Sequence, residues 1–304
     1  MLTKRILPAT GVVAVMLITA GPVRAGGPSC GATLAPGTET TLTADLECLP
    51  GPFVLTVDSA TLNLNGFRIV CLNQSSQAPG VVLTGKRSAI TGPGDIIGCD
   101  PGVVASGEGK HTIRDVQIDS AQGLTVVAFS DKNLFTGTIL SGEGGIRIFG
   151  DKNLVIDSQV STTNTGVDIF GSKNRVTSNQ LTGNDSAVML RAEKNKLVEN
   201  TLTDPGSGVT IEGAGHLVLG NTITSAELYG IRATGGAKIF ENGVSGSGGI
   251  GIDVSSPPDA KVKVSENDVT GSGGVDLFDA ASDCGEHKWS RNTFGSASPE
   301  ACIE

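Results

Sequence analysis

Side chains able to act on a substrate recur in this chain at nearly fixed intervals. One series runs Val82, Val104, Thr125, Arg147, Asp168, Met189, Thr210, Arg232, Asp253 and Asp276. A second, two residues further on, runs Thr84, Ser106, Val127, Phe149, Phe170, Arg191, Glu212, Thr234, Ser255 and Phe278. Guanidinium groups grip carboxylates in a bidentate fork and phenyl rings offer apolar area, so the mixture suits a polymer of acidic sugars. The binding candidates are Arg147, Phe149, Asp168, Phe170 and Arg191, with apolar sugar faces resting on the rings. The acid–base candidates are Asp168, Glu212, Arg232, Asp253 and Asp276. If neighbours in a series are neighbours in space, Asp253 and Asp276 stand near the roughly 5 Å of a retaining glycosidase pair. Carboxylates two steps apart approach the inverting range of about 6.5–9.5 Å. Stacked carboxylates repel and raise one pKa, as a general acid requires. A lyase needs Arg191 or Arg232 at a sugar carboxylate, with Ca²⁺ on Asp253 and Asp276. The plainer account makes Arg147–Asp168, Arg191–Glu212 and Arg232–Asp253 ordinary cross-strand pairs, each worth about 0.2–1 kcal/mol.

A lysine series forms the second constellation. Lys110, Lys132, Lys152, Lys173 and Lys194 recur at intervals of 22, 20, 21 and 21, most inside a phrase such as Asp131-Lys132-Asn133 or Asp151-Lys152-Asn153. Like charges brought together in space cost energy unless the preceding Asp or Glu neutralises them or an anionic glycan does. Lys132, Lys152, Lys173 and Lys194 join the binding candidates. Three other features carry less. Gly246-Ser247-Gly248-Gly249-Ile250-Gly251 matches G-x-G-x-x-G but has no helix to open. His111, His216 and His287 share one repeat position and read as turn or surface residues. No cysteine spacing suits zinc, and no metal site is expected.

What must position these residues is a repeat. A phrase of Gly, apolar, any residue, apolar starts at Gly80, Gly102, Gly123, Gly145, Gly166, Ala187, Gly208, Gly230, Gly251 and Gly274, at spacings of 21 to 23. Inside each later unit an Asn precedes an apolar residue by two positions, at Asn179, Asn200, Asn221, Asn242, Asn267 and Asn292. Short alternating stretches broken by Gly, Asn, Ser and Asp are strands and turns. The period is too short for propeller blades and lacks the leucine-rich pattern. Three strands per turn, each pairing in parallel with its equivalent one turn later, satisfy it: an all-β, right-handed parallel β-helix of about ten coils of 21–22 residues. Val81, Val103, Leu124, Ile146, Val167, Val188, Val209, Ile231, Ile252 and Val275 are expected to stack inside. Val176, Leu197, Val218, Ile239, Val264 and Trp289 form a second internal column. The recurring Asn is expected to run an amide ladder along the axis.

The chain has 304 residues, net charge −9, 43 Gly, six Cys, one Trp and one Tyr. That balance lacks the basicity and stacking aromatics of a nucleic-acid binder. Residues 1–25, with Lys4 and Arg5 before the apolar run GVVAVMLITA and Val23-Arg24-Ala25 as a small-residue site, read as a secretory signal. Its removal leaves 19 basic against 31 acidic residues, about −12. Residues 26–79 are expected to form an N-terminal cap and first coil, and 80–304 the repeats, with a C-terminal disulfide cap from about 279. Cys30, Cys48, Cys71 and Cys99 cluster early, Cys284 and Cys302 late. Six cysteines allow 15 pairings. Proximity favours Cys30–Cys48 and Cys284–Cys302, which leaves Cys71–Cys99. Leu55, Gly66 and Cys71 match Leu83, Gly94 and Cys99 at a constant offset of 28, which places Cys71 and Cys99 in adjacent coils.

The opening CGATL, then TLTADLECLPG and ATLNLNGFRIVC, and the closing CGEHKWSRNTFGSASPEACI resemble exported bacterial right-handed β-helix repeat proteins of the pectate-lyase-like superfold, over about residues 30–304. The resemblance implies the fold, while the superfold hosts pectate lyases, polygalacturonases, alginate epimerases, phage tailspikes, adhesins and members with no assigned activity. The polygalacturonase phrases N-T-D, D-D, G-H-G and R-I-K do not occur, and Tyr229-Gly230 alone matches the epimerase phrase Y-G-F-D-P-H. The expectation is an exported monomer, secreted or periplasmic, that binds an acidic polysaccharide or cell-surface glycan. Nucleic-acid partners, membrane segments after leader removal and cofactors are not expected, except Ca²⁺ for a lyase. The alternatives are a lyase, epimerase or glycoside hydrolase acting on uronic-acid glycans, and a structural surface rod.

Overall fold

The computed structural model describes residues 27–49, 54–72, 78–257 and 259–303. The leader lies outside them. Among the described residues there are 35 short strands and no helix, and every strand pairing is parallel. A representative coil is built from Thr165–Ile169, Arg175–Thr177 and Gln180–Thr182; the next repeats it with Ser186–Leu190, Lys196–Val198 and Thr201–Thr203. The molecule is thus a right-handed parallel β-helix with three sheets, named here first, second and third in the order the chain visits them. The longer strands Gln117–Ala128 and Ile139–Ile148 run from the third sheet straight into the first. About twelve coils are wound, not ten, because coils opening at Ala32 and Leu55 keep the inward apolar positions without the Gly phrase. At about 4.8 Å per coil the rod is roughly 55 Å long.

The Gly phrase has a steric cause. A Cβ at Gly145 would meet the Gly166 carbonyl oxygen at 2.0 Å, and one at Gly208 the Gly230 oxygen at 2.3 Å. Adjacent coils approach too closely at this corner for a side chain. The inward columns stack as expected from the pattern with two corrections. Val126, not Leu124, registers with Val103 and Ile146, and Leu277, not Val275, registers with Ile252. Both slips arise at corners that hold extra residues: a register shift between Ser120 and Leu124, and a longer turn before Leu277. The second column, Val176 through Trp289, pairs coil to coil as expected.

Two amide ladders satisfy the corners. Asn179, Asn200, Asn221, Asn242, Asn267 and Asn292 form the expected one: each Oδ1 accepts the backbone N–H of the residue one coil earlier. A second ladder, on Asn133, Asn153, Asn174 and Asn195, begins at His111 and ends beside His216. The residue just before each rung has positive φ, as at Lys152 (59°) and Glu199 (55°), which turns the chain so that the Asn points inward. The three disulfides are Cys30–Cys48, Cys71–Cys99 and Cys284–Cys302, with Cα separations of 5.7, 5.2 and 6.1 Å. They fasten the ends of the rod, where no further coil protects the strand edges.

Candidate functional site

The register corrections reorganise the outer face of the first sheet. One outward column becomes Val104, Val127, Arg147, Asp168, Met189, Thr210, Arg232, Asp253 and Phe278. Thr125 leaves it and is buried, and Val127 moves into it. Two residues beyond lies the column that carries Phe129, Phe149, Phe170, Arg191 and Glu212. Phe129 thereby joins the expected pair. Its ring centroid lies 5.1 Å from that of Phe149, which lies 5.0 Å from that of Phe170, with the planes nearly parallel. The rings are 56%, 41% and 40% exposed. Since their faces stack on one another, they present a ribbon of aromatic edges across three coils. The aromatic surface open to a sugar is therefore ring edge rather than ring face.

The Arg191 guanidinium closes the ribbon, 4.9 Å from the Phe170 ring centre. Its Nε donates to Asp168 at 2.9 Å and its other arm lies 3.3 Å from Glu212. The hydrogen bond to Asp168 is the main reason its pKa is raised. Arg147 approaches Asp168 from the other side at 3.6 Å. Asp168 is therefore buried under two guanidinium groups rather than open to solvent, although its Cβ faces outward. The buried Nε of Arg147 has no hydrogen-bond partner.

Beside Arg147 and Asp168 opens a cavity of about 210 Å³, lined also by Gln122, Leu124, Glu143 and Asn164. Asn164 Nδ2 donates to Glu143 at 3.0 Å. Behind its wall sits Asp100, whose carboxylate presses on Gly123. Burial pushes the Asp100 pKa up, assisted by the charge of Glu143. Gln122, Glu143, Asn164 and Asp100 were not candidates, because they occupy the corners whose extra residues the repeat does not index. The only hint is the irregular stretch around Gln122–Gly123 and Gly142–Gly145.

Other candidates separate. Arg232 and Asp253 form their own pair at 3.2 Å, with the Arg232 guanidinium 4.8 Å from the Tyr229 ring centre. Thr210 stands between this pair and the Arg191 cluster. Asp253 is buried, and burial raises its pKa against the hydroxyl of Ser255 and the charge of Arg232. Asp276 lies off the column altogether. It is buried, and although burial alone raises a carboxyl, amides of Ser272, Gly295 and Ser296 outweigh that and lower its pKa. The coil-to-coil neighbour of Asp253 is Phe278, so the structure brings together neither the proposed glycosidase pair nor the Ca²⁺ pair.

The lysine ridge runs alongside, three residues beyond each ring: Lys132 after Phe129, Lys152 after Phe149, Lys173 after Phe170. All five lysines are exposed with φ of 57–60°. Among the described residues, an ion pair with the preceding acid is built at Lys194 alone of the five, 3.9 Å from Glu193. Asp131 and Asp151 instead accept the backbone N–H of Asp151 and Ser172. The histidines were expected at turns or on the surface; His111 and His287 lie just before strands, His216 lies inside the strand Ala214–Leu219, and all three are buried. His111 accepts the Ser88 N–H at Nδ1 and its Nε2 lies against the Ser106 carbonyl. His216 has no hydrogen bond at either ring nitrogen. His287 Nδ1 lies 2.9 Å from Asp279, which also accepts the Trp289 indole N–H at 2.8 Å.

Comparison with known proteins places the chain as follows. A family model described as periplasmic copper-binding protein (NosD) matches residues 83–248. No curated protein matches in sequence. Among solved structures, endopolygalacturonase I from Stereum purpureum, complexed with two galacturonate, aligns over 86% of this chain and 93% of its own at 13% identity, TM-score 0.60. The periplasmic alginate epimerase AlgG aligns over 87% and 79% at 13% identity, TM-score 0.56. A mannuronic acid specific family 6 polysaccharide lyase from human gut microbiota aligns over 88% and 78% at 14%, TM-score 0.50. At these identities the likeness establishes the fold. Copper wants imidazole, thiolate or thioether donors, and the residues present do not fit it. All six cysteines are in disulfides. Both ring nitrogens of His111 and His287 face partners already, and the three histidines sit coils apart. Met189, the only methionine beyond residues 1–25, faces Arg191. Among the described residues no three His, Cys, Asp or Glu converge.

Proposed function

Because this chain belongs to the NosD family, described as periplasmic, and yet lacks a copper-ligand set, we propose that it works outside the cytoplasm by binding an acidic polysaccharide along the first sheet. The leader and the three disulfides support the location. One observation carries the reading: the Phe129–Phe149–Phe170 ribbon lies between the Arg147–Asp168–Arg191 cluster and a row of exposed lysines that mostly lack carboxylate partners. Apolar edges would pack on sugar C–H groups while the flanking cations take the carboxylates. The lysine backbone strengthens this. Polar residues of several kinds, such as Ser178, Glu199 and Arg291, hold the equivalent left-handed positions elsewhere, so the conformation itself does not call for a Lys in five successive coils. The structurally similar proteins bear the names of galacturonate, alginate and mannuronic acid, polymers or units of acidic sugars.

The test is affinity electrophoresis of the mature protein through gels that contain polygalacturonate, alginate or a neutral glucan. Retardation by the acidic polymers alone is expected, and migration unchanged in every gel overturns the reading. A catalytic reading is favoured by one observation, the cavity that brings Glu143, Arg147 and Asp168 to one place. Incubation with the same polymers, with and without Ca²⁺, tests it: unsaturated-product absorbance means a lyase, and new reducing ends alone mean a hydrolase.

A further inference from the structure

The outer face of the second sheet carries a basic column that the chain leaves unpaired. Register places Arg175, Lys196, Leu217, Lys238, Lys263 and Lys288 one above another in six successive coils. All but Leu217 are exposed cations, and among the described residues none makes an ion pair. Apart from the first-sheet lysine ridge, most other cations of the molecule are treated differently. Arg68 is held by Asp45, Arg147 and Arg191 share Asp168, Arg232 has Asp253 and Arg291 has Glu266. In a chain of net charge −9 there is no shortage of carboxylates to place beside this column.

At the C-terminal end the column deepens into a cavity of about 290 Å³. Lys238, Lys261, Lys263 and Lys288 line it with Ala237, Val262 and a single acid, Glu286. The Phe240 ring lies beside it, with the Lys263 ammonium 4.9 Å from its centre. Like charges stacked at the coil spacing of about 4.8 Å repel. Unpaired, they lower the stability of the free protein, and a bound polyanion removes that penalty.

We propose that this column is a second binding track, for a linear acidic polysaccharide whose charges recur along the rod axis. Charges on the protein lie in a straight line one coil apart, interrupted once at Leu217, which matches a polymer with one carboxylate per sugar ring. A single aromatic flanks the track, whereas single-stranded nucleic acid is held by rings stacked on successive bases. The track shares no residue with the first-sheet ribbon and stands whether or not that surface binds.

The experiment uses the mature, disulfide-bonded protein and short polygalacturonate oligomers, read by calorimetric titration at low and high salt. Wild type is expected to show one set of binding events that Lys238→Glu/Lys263→Glu/Lys288→Glu removes and Arg147→Ala/Phe149→Ala does not. Affinity at the track is expected to fall at least tenfold in the triple variant and to weaken with salt. The milder Lys238→Gln/Lys263→Gln/Lys288→Gln, checked by circular dichroism, gives the same result if the reversal disturbs folding. Binding unchanged in both lysine variants overturns the track, as does equal affinity for a single-stranded oligodeoxynucleotide. Loss of binding in the Arg147/Phe149 variant alone condemns the track and leaves the ribbon. Loss in the lysine variants alone does the reverse.

Discussion

Replacing Lys132, Lys152 and Lys173 together by Gly separates the two explanations of the ridge. The three residues have φ of 59°, 59° and 60°, a conformation that costs an L-residue about 1–2 kcal/mol each. Glycine removes that cost and adds about 0.5–1 kcal/mol of chain entropy in return. Each replacement is therefore neutral or stabilising by up to about 1.5 kcal/mol, provided the side chain contributes little to the fold. No carboxylate partner of these three lysines is broken, since Asp131 and Asp151 are engaged with backbone amides. Binding moves the other way. An exposed charge pair is worth about 0.2–1 kcal/mol, so three lost contacts to a polyuronate cost about 1.5 kcal/mol, or roughly tenfold in affinity. The assays are a urea midpoint and retardation in polygalacturonate gels. A midpoint that holds or rises with retention lost is the expected pair. Retention unchanged refutes a role in binding, and a midpoint that drops by more than about 1 kcal/mol refutes the conformational reasoning.

Asn221→Ala removes the two N–H donors that Nδ2 shares among the carbonyls of Leu197 and Leu219 and Asn242 Oδ1, and the acceptor for Asn200. With buried groups orphaned at about 1–3 kcal/mol each, we expect a loss of at least about 3 kcal/mol by chemical denaturation; less than 1 kcal/mol contradicts the ladder. Phe149→Ala deletes the middle ring of the ribbon and both of its stacking contacts, so stability should fall by about 1–3 kcal/mol. Retention by acidic polymers should fall several-fold with it, and undiminished retention argues against the ribbon. Copper offered as Cu(II), or as Cu(I) under conditions that spare the disulfides, should leave no bound metal after desalting; equimolar copper measured by metal analysis shows that the donor inventory is wrong. Burial lowers the pKa of His111 and His216 below the ordinary imidazole value. The folded state then binds fewer protons than the unfolded one, and stability present above about pH 6.5 is lost as pH falls toward the depressed values. His216→Asn, which extends the Asn195 ladder, should flatten that decline, and an unchanged midpoint–pH curve for the variant removes His216 from the account.

The parts of this structure that follow the period were readable residue by residue, and the parts that break it were not. A Gly–apolar–x–apolar phrase names the inner columns because the corner admits no Cβ and the tube admits only apolar side chains. The offset of 28 that matched Cys71 to Cys99 finds the disulfide, although the strands around it register at smaller offsets, Leu55 with Val81 and Val70 with Ile97. The Asn phrase names its ladder because an amide is the side chain that can both donate and accept along the axis. The rule fails where a corner takes up additional residues. Two extra residues near Gly123 move Val126 inward and Phe129 into the ribbon, and the longer turn before Leu277 removes Asp276 from the column of Asp253. Burial was illegible for a different reason. Alternation says that Asp168 faces outward, but not that Arg147 and Arg191 fold over it from the coils on either side.

That difference bears on where function resides in a solenoid. Coils related by strict repetition give each outward column one side chain per step, a geometry that favours a polymer with its own repeat over a compact ligand. Both the lysine ridge and the second-sheet column have this character. Breaks in the repeat do the opposite. They gather unlike groups at one place, as Gln122, Glu143 and Asn164 gather next to Arg147, and the cavity there has room for a small unit rather than a chain. A polymer held along the columns would thus be presented to a pocket that meets one sugar at a time. If that division holds, substitutions in the columns should change affinity in proportion to oligomer length. Glu143→Gln should instead lower affinity for even the shortest oligomer by about the same factor at every length. Calorimetric titration across an oligomer series reads the two patterns apart, and a length-dependent loss for Glu143→Gln would show that the pocket is only another part of the track.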